Sequence, residues 1–182
     1  MARMRWLQEL LGSDTAVEAA QTPLCAKPTA RLTSATVLIA YATQTGAAEG
    51  IAEETRELLE DAGIHVQMLD FDDLSPAVLE DASQVLFITS TTFDGEPPEM
   101  AEDFHAQVMQ QPAALAHLHY ALLALGDRSY DFFCGFGHRL DDWLRDSGAQ
   151  PWFNLIEVDD EDERPIDHWL ACVKILAAAD DA

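Results

Sequence analysis

Apolar runs and amphipathic stretches alternate along most of the chain. The run TVLIAY (36–41) is apolar almost throughout, as are QVLFITS (84–90) and HYALLAL (119–125). Continuous apolar runs of this length are typical of strands buried on both faces of a parallel sheet. Two further segments, HVQMLD (65–70) and WFNLIEV (152–158), also have strand-like composition. The pattern therefore predicts five strands.

Helical periodicity separates these strands and follows the last of them. It predicts helices over 47–62 and 98–110, and between them a short helix with Ser75 as N-cap and Pro76 at its first position. It also predicts a long helix that stops at Gly148 and a last helix opening at Pro165. The inner faces of the last two helices are predicted to be Phe136, Leu140, Trp143 and Leu144, and Ile166, Trp169, Leu170, Val173 and Leu176. Strands alternating with helices predict an α/β fold, a doubly wound parallel sheet.

The N-terminal part of the chain has a different composition. Trp6, Leu7, Leu10 and Leu11 lie at helical spacing, and the segment TPLCAKPTA then has the composition of a linker. We therefore divide the chain into an extension over residues 1–35, with a short amphipathic helix, and a domain over residues 36–180. The extension is either a docking segment or a loosely ordered strip on the domain surface.

The charge of the chain restricts its partners. Among 182 residues, 33 Asp and Glu oppose 10 Lys and Arg, giving a net charge of −23. Such a chain is unsuited to nucleic acids or anionic membranes, which bind cationic surfaces. The acidity fits basic protein partners, or simply solubility or a high-salt habitat. Three cysteines without metal-like spacing suggest a reducing compartment, no disulfide framework and a cytoplasmic location.

Polar segments follow four of the predicted strands. They are TQTGAA (43–48), STTFDGEPPE (90–99), GDRSYDFFCGFG (126–137) and DDEDE (159–163). Ligands of open parallel sheets bind at the carboxyl ends of the strands, where these loops converge. The sequence therefore predicts a binding crevice at this edge of the sheet.

The first of these loops has the composition of a phosphate cradle without a cation. Its small residues let backbone N–H groups at the start of a helix point at an oxyanion, and the Thr43 and Thr45 hydroxyls add donors. The loop matches neither GxxxxGK[ST] nor GxGxxG, which disfavours nucleoside triphosphates and dinucleotides. A terminal phosphomonoester held by neutral donors fits, and FMN bears one.

The loop sequences resemble a known family. TQTGAAEGIAEE, STTFDGEPPEMAEDF and LGDRSYDFFCGFGHRLDDWLRDSGAQ look like the three FMN loops of flavodoxin-like domains. The resemblance covers residues 36–178 and is strongest to the flavodoxin module of diflavin reductases such as the sulfite reductase flavoprotein, and to short stand-alone MioC-like flavodoxins. It implies a three-layer α/β/α sandwich with a five-stranded sheet of order 2-1-3-4-5, and FMN as cofactor.

The resemblance also implies a role for each loop. The first would wrap the FMN phosphate, the second would line one side of the isoalloxazine ring, and the third would form the other wall, with Tyr130 stacked on the ring. Glu157 or Asp159 would close the site near the ribityl chain or ring edge. The cofactor-binding residues so implied are Thr43, Gln44, Thr45, Gly46, Ala47, Ala48, Ser90, Thr91, Thr92, Phe93, Asp94, Gly95, Leu125, Gly126, Asp127, Tyr130, Phe132, Phe133, Cys134 and Asp159.

One residue departs from the family pattern. Phe93 stands where the family loop commonly has a glycine whose peptide can flip towards the flavin. A phenylalanine disfavours the positive φ that such a flip requires. Either Phe93 supplies a second stacking ring or the turn shifts onto Asp94 and Gly95. We expect weaker stabilisation of the half-reduced flavin than in typical flavodoxins.

The resemblance implies an electron carrier. A short-chain flavodoxin would shuttle single electrons between a separate reductase and an acceptor protein, both docking through basic surfaces; we expect a monomer with no catalytic residue or metal site of its own. Two alternatives stay open: a flavin-free interaction protein, and a detached FMN subunit of a multi-chain, NADPH-dependent reductase. A phosphoacceptor receiver domain is disfavoured because Ser90 stands where it would need an aspartate.

Overall fold

A parallel β-sheet forms the centre of the molecule. The computed structural model describes residues 31–92, 94–160 and 162–178. Neighbouring strands follow the order β2-β1-β3-β4-β5, with β6 also paired to β4, and every pairing is parallel. The strands are β1 (Val37–Ala42), β2 (Val66–Asp70), β3 (Gln84–Ser90), β4 (His119–Gly126), β5 (Gln150–Pro151) and β6 (Ile156–Asp159). The predicted doubly wound sheet of order 2-1-3-4-5 is confirmed.

The predicted fifth strand, over residues 152–158, is a strand only from Ile156 onwards, and the short β5 lies before it. β5 and β6 both pair with β4, and residues 152–155 leave the ladder between them. Successive side chains of a regular strand point to opposite faces of the sheet. Trp152 and Phe153 nevertheless pack into the same hydrophobic cluster. Placing two large consecutive side chains on one face requires the break that the apolar run concealed.

Helices cover both faces of the sheet. They are α1 (Ala47–Asp61), α2 (Pro76–Asp81), α3 (Glu99–Asp103), α4 (Gly135–Asp146) and α5 (Glu163–Ala177), and α3 continues as a π-helical turn over Phe104–Val108. The predicted N-cap is confirmed, because the Ser75 hydroxyl accepts a hydrogen bond from the Val78 amide at 3.4 Å. The last helix begins two residues before Pro165, where the Asp162 carboxylate accepts from the Arg164 amide at 3.1 Å.

Two hydrophobic clusters fill the spaces between the layers. On one face α1 and α5 pack on the sheet, and the buried indole of Trp169 donates to the Thr55 hydroxyl at 3.0 Å, which joins the two helices. On the other face α2, α3 and α4 pack around Phe71, whose ring meets Phe87 and Phe136 edge-on. The molecule is therefore a three-layer α/β/α sandwich with one core on each side of the sheet.

The start of the described chain is attached to the domain. The Leu32 amide donates to the Leu176 carbonyl at 3.2 Å, and the Arg31 side chain donates to the Ala178 carbonyl at 2.6 Å. The amphipathic helix predicted around Trp6 lies outside the described residues. Within the described part of the chain, no helix is both long and apolar enough to cross a membrane.

One prediction about the cysteines is wrong. Cys172 is disulfide-bonded, whereas Cys134 is a free, buried thiol. Spacing along the sequence says little about which thiols approach each other in the folded chain, so the absence of a recognisable cysteine pattern did not exclude a disulfide.

Candidate cofactor-binding cleft

An open cleft lies where β1, β3 and β4 end. It encloses about 270 Å³, and its lining comes from the loops that follow these three strands and β6. The lining residues are Gln44, Thr45, Ala47, Ser90, Thr91, Thr92, Leu125, Gly126, Asp127, Tyr130, Phe132 and Asp160. All of these except Asp160 are among the residues predicted from the sequence. The convergence of loops at the carboxyl edge therefore produces the expected crevice.

The first loop leads directly into the N-terminus of α1. Gly46 is the N-cap, with a φ of 95° that only glycine adopts without strain. Its amide donates to the Thr43 hydroxyl at 2.9 Å, which closes the turn. The first amides of a helix have no acceptor within the helix and carry a partial positive charge. This loop thus offers neutral donors beside the cleft.

The second loop brings hydroxyl groups into the cleft. Ser90 ends β3 with 8% of its surface exposed, and the buried hydroxyl of Thr91 has no hydrogen-bond partner among the described residues. Thr92 begins a tight turn, in which its amide donates to the Glu96 carbonyl and the Gly95 amide donates back to the Thr92 carbonyl, both at 2.9 Å. A buried hydroxyl is rarely left without a partner, so Thr91 is suited to meet a ligand.

The second and third loops touch through two glycines. Gly95 has a φ of 80°, and a Cβ atom there would lie 2.5 Å from the Cβ of Phe132. A Cβ on Gly135 would lie 2.9 Å from the Cα of Gly95. Both distances are too short for non-bonded carbon atoms. Glycine at both positions lets the two loops approach closely enough to form one continuous wall.

The third loop presents aromatic side chains at the rim. Hydrogen bonds from the side chain and the amide of Ser129 lower the pKa of the Asp127 carboxylate, and the amide donates to it at 2.7 Å. The Tyr130 amide donates to the Asp127 carbonyl at 3.1 Å. In this tight turn Tyr130 and Phe132 are 42% and 62% exposed. Exposed rings beside a cleft are suited to stack on a planar ligand.

Cys134 supports this loop from inside the protein. It is fully buried, adopts a φ of 52° as N-cap of α4, and its thiol donates to the Ala124 carbonyl at 3.2 Å. Burial, with a smaller contribution from Glu157, raises its pKa to about 12. A Cβ on Gly126 would lie 2.6 Å from the Cys134 amide nitrogen, so the loop folds tightly back on the end of β4. Cys134 is a packing residue with an unreactive thiol.

Acidic residues in β6 and directly after it divide into two groups. The Asp159 carboxylate accepts a hydrogen bond from the Arg128 amide at 2.9 Å and lies 3.5 Å from the guanidinium of the same arginine. The Glu157 carboxylate lies 2.8 Å from the His138 ring. Asp160 has a φ of 52°, donates its amide to the Gly126 carbonyl at 2.7 Å, and lines the cleft. The sequence signal for Asp160 was its place in the acidic run leaving the last strand.

Comparison with known families agrees with this geometry. The family model described as Flavodoxin matches residues 39–169. The chain belongs to the flavodoxin family. Members of this family are typically FMN-binding electron carriers.

The flavodoxin is also similar to one part of a larger flavoprotein. It is 32% identical over 164 residues to the sulfite reductase [NADPH] flavoprotein alpha-component of Aliivibrio fischeri, covering 90% of this chain and 26% of that protein. It is 34% identical over 171 residues to the same component from Bacillus subtilis, covering 91% and 28%. The chain thus spans about a quarter of the length of these curated relatives.

Solved flavodoxins match the fold over nearly their whole length. The flavodoxin from Streptococcus pneumoniae TIGR4 superposes with a TM-score of 0.68 at 26% identity, covering 79% of this chain and 98% of that one. Flavodoxin 2 of Bacillus cereus superposes with a TM-score of 0.65 at 27% identity, with the same coverages.

Several residues predicted for the site of this flavodoxin do not line the cleft. Gly46 shapes the first loop, Gly95 forms the contact between loops, and Phe133 packs beneath the Arg128 guanidinium, which lies 4.2 Å from its ring centroid. The other predicted residues outside the lining are Thr43, Ala48, Asp94, Cys134 and Asp159. Phe93 lies outside the described residues, so its effect on the flavin stays a prediction.

Proposed function

We propose that this chain is a short-chain flavodoxin that binds FMN and carries single electrons between a separate reductase and an acceptor protein. The observation that carries the proposal is the cleft itself. It combines the N-terminus of α1, an unpartnered buried hydroxyl at Thr91 and exposed rings at Tyr130 and Phe132. One end thereby suits a phosphate and the other a planar ring system.

The donors of the first loop fit the phosphate end. Gln44, Thr45 and Ala47 line the cleft beside Gly46, whose positive φ turns the backbone into α1. α1 has 15 residues, so its first amides carry the partial positive charge of an extended helix. No lysine or arginine lies between residues 41 and 50. The anion would therefore be held by amides and hydroxyls alone.

The second and third loops fit the ring end. Leu125 and Ser90 are almost completely buried at the base of the cleft, while Tyr130 and Phe132 stand exposed at its rim. The Thr91 hydroxyl would find in a heteroaromatic ring or a ribityl chain the hydrogen-bond partner that the described protein groups do not give it. FMN supplies the one-electron chemistry, and these side chains bind it, orient it and restrict water around it.

The surface charge supports basic redox partners. With a net charge of −23, the protein attracts positively charged surfaces and repels other acidic ones. The same charge disfavours additional negative charge on a reduced flavin, which lowers the potential for its last reduction step and makes the reduced carrier a stronger donor. We propose a monomer that docks through the acidic rim of the cleft.

The relatives favour a second role. The chain is 32% identical to a quarter of the Aliivibrio fischeri flavoprotein, more similar than to the pneumococcal flavodoxin at 26%. It is therefore also suited to act as the FMN subunit of a multi-chain, NADPH-dependent reductase whose other flavin lies on a separate chain. Reduction of the FMN-loaded protein by a purified FAD-containing NADPH reductase, compared with reduction by a general flavodoxin reductase, separates the two roles.

A cytoplasmic location is part of the proposal, because flavodoxins are generally cytoplasmic. The disulfide at Cys172 is unusual for a reducing compartment. Alkylation of thiols in intact cells, before and after reduction, reports whether this disulfide is present where the protein works.

Calorimetric titration with FMN tests the proposed function. We expect one FMN per chain, and a yellow protein with flavin absorption bands after mixing and gel filtration. Riboflavin, which has the same ring and ribityl chain without the phosphate, is the matched control and should bind at least tenfold more weakly if the first loop grips the phosphate. Folded protein that takes up no FMN would overturn the electron-carrier proposal.

A further inference from the structure

Arg139 of α4 contacts the turn formed by Thr92, Gly95 and Glu96. Its guanidinium donates from Nη2 to the Gly95 carbonyl oxygen at 2.6 Å and lies 3.6 Å from the Glu96 carboxylate. The Nε atom is buried without a hydrogen-bond partner among the described residues. The guanidinium therefore lies closer to the peptide oxygen of Gly95 than to the carboxylate of Glu96.

The Gly95 carbonyl belongs to a turn that forms part of the cleft wall. The Gly95 amide donates to the Thr92 carbonyl, while the Thr92 amide and hydroxyl both donate to the Glu96 carbonyl, at 2.9 and 3.0 Å. Thr92 lines the cleft, whereas Arg139 and Gly95 do not. Fixing the Gly95 carbonyl therefore fixes a turn whose other side faces the ligand.

The position of Arg139 is itself set by the glycine contact. Gly135 precedes Arg139 by four residues, so both lie on the same face of α4. Because a Cβ on Gly135 would lie 2.9 Å from the Gly95 Cα, this face of the helix and the turn are in direct contact. The side chain one turn further along reaches the Gly95 carbonyl at a short distance.

We propose that Arg139 is a positioning residue for the flavin loop: it clamps the turn formed by Thr92, Gly95 and Glu96 in the conformation that receives the ring of FMN. This inference rests on the proposed function for its ligand, but the clamp itself belongs to the protein without cofactor. The charge-assisted hydrogen bond to Gly95 is stronger than a bond between neutral groups, which suits it to hold a turn containing a flexible glycine.

The experiment compares three variants of the full chain. Arg139→Met removes the donors and keeps much of the apolar stem, and Arg139→Lys keeps a charged donor without the planar fork. Arg145→Met is the matched control, since Arg145 lies on the same helix, pairs with Asp141 at 2.8 Å and does not contact the cleft loops described above. Amide hydrogen exchange at Thr92 and Gly95 is measured without FMN, and the FMN affinity and midpoint potentials are then measured for each variant.

We expect faster exchange at both amides in Arg139→Met. The FMN dissociation constant should rise about tenfold, because the released turn would hold the binding conformation only about a tenth of the time. The midpoint potentials should shift in the same variant, because a loosened turn holds oxidised and reduced FMN differently. Arg139→Lys should lie between Arg139→Met and the wild type, and Arg145→Met should match the wild type. A merely structural role would lower the melting temperature and leave the potentials unchanged.

The possible results separate this inference from the proposed function. Unchanged exchange, affinity and potentials in Arg139→Met, with FMN still bound by the wild type, would overturn the clamp alone. Faster exchange with unchanged FMN affinity and potentials would overturn its link to the flavin. Absence of FMN uptake by the wild type would overturn both proposals, and the exchange data would then still report whether Arg139 holds the turn.

Discussion

Gly46 offers the sharpest test of the proposed phosphate site. Its φ of 95° is in the left-handed region, and apart from the adjoining residues no atom would lie within 4 Å of a Cβ built on it. A side chain at this position therefore strains the backbone without colliding with the protein. Gly46→Asp places a carboxylate at the N-terminus of α1, and Gly46→Ala introduces the same backbone strain without a charge.

The expected magnitudes differ between folding and binding. A residue other than glycine at this φ destabilises the fold by about 1–2 kcal/mol, in both variants. The added carboxylate would stand beside the amides proposed to hold the phosphate, and two unit charges about 4 Å apart repel by about 1–4 kcal/mol between the dielectric limits of water and a protein surface. We therefore expect Gly46→Asp to bind FMN about 100-fold more weakly than Gly46→Ala.

The control is Gly63, at the other end of the same helix. It has a φ of 78°, and nothing lies within 4 Å of a Cβ built there. α1 has 15 residues, so Gly63 lies about 22 Å away, well beyond the screening length at physiological salt. Gly63→Asp should lower the melting temperature comparably and leave FMN affinity unchanged in calorimetry. If Gly46→Asp bound FMN as tightly as Gly46→Ala, the first loop would not hold the phosphate.

Three further predictions follow from the described contacts and charges. Tyr120→Phe removes the 2.6 Å hydrogen bond from the buried tyrosine hydroxyl to Asp141, so the free energy of unfolding in urea should fall by about 1 kcal/mol. An unchanged free energy of unfolding would show that water replaces the bond fully. Because the pKa of Cys134 in the folded protein is raised to about 12, the contribution of the neutral, buried thiol to stability is complete below pH 9 and decreases above it. Rapid labelling of this thiol in native protein at pH 8 would contradict its burial. Reduction by a basic partner should slow as salt is raised, because ions screen steering, and a rate independent of salt would remove that role for the acidic surface.

The order of strands and helices in this fold was predictable from the local pattern of apolar and polar residues. Apolar runs and helical stripes give the strands and helices, because strands buried on both faces consist mainly of apolar residues and helices facing a sheet need one apolar side. The break in the last strand was not predictable in this way. Trp152 and Phe153 are both apolar, and only the three-dimensional packing shows that they share one face of the sheet.

The candidate site was predictable in its loops and less so in individual side chains. Loops that follow parallel strands meet at one edge, which is why most lining residues were named in advance. The resemblance implied Glu157 or Asp159 at this edge and did not single out Asp160, which lines the cleft. The place of Asp160 depends on its positive φ and on the bond between Asp159 and Arg128. Such local alternatives are decided by contacts between distant parts of the chain, and a single sequence does not show them.

The charge around the cleft distinguishes how the cofactor and the partner would be attracted. Arg128 lies against Asp159 and Glu157, and Arg139 lies against the Gly95 carbonyl and Glu96, so both arginines are occupied within the protein. A phosphate would then be attracted over short range by the amides of α1, against the long-range repulsion of a net charge of −23. Salt screens the long-range field much more than the short contacts, so added salt should leave FMN affinity unchanged or increase it, while it slows docking of a basic partner. If salt slows partner docking without weakening FMN binding, the anion site made of neutral groups and the acidic docking surface are distinct features of the same protein. A steep loss of FMN affinity with salt would instead require a cation in the cleft.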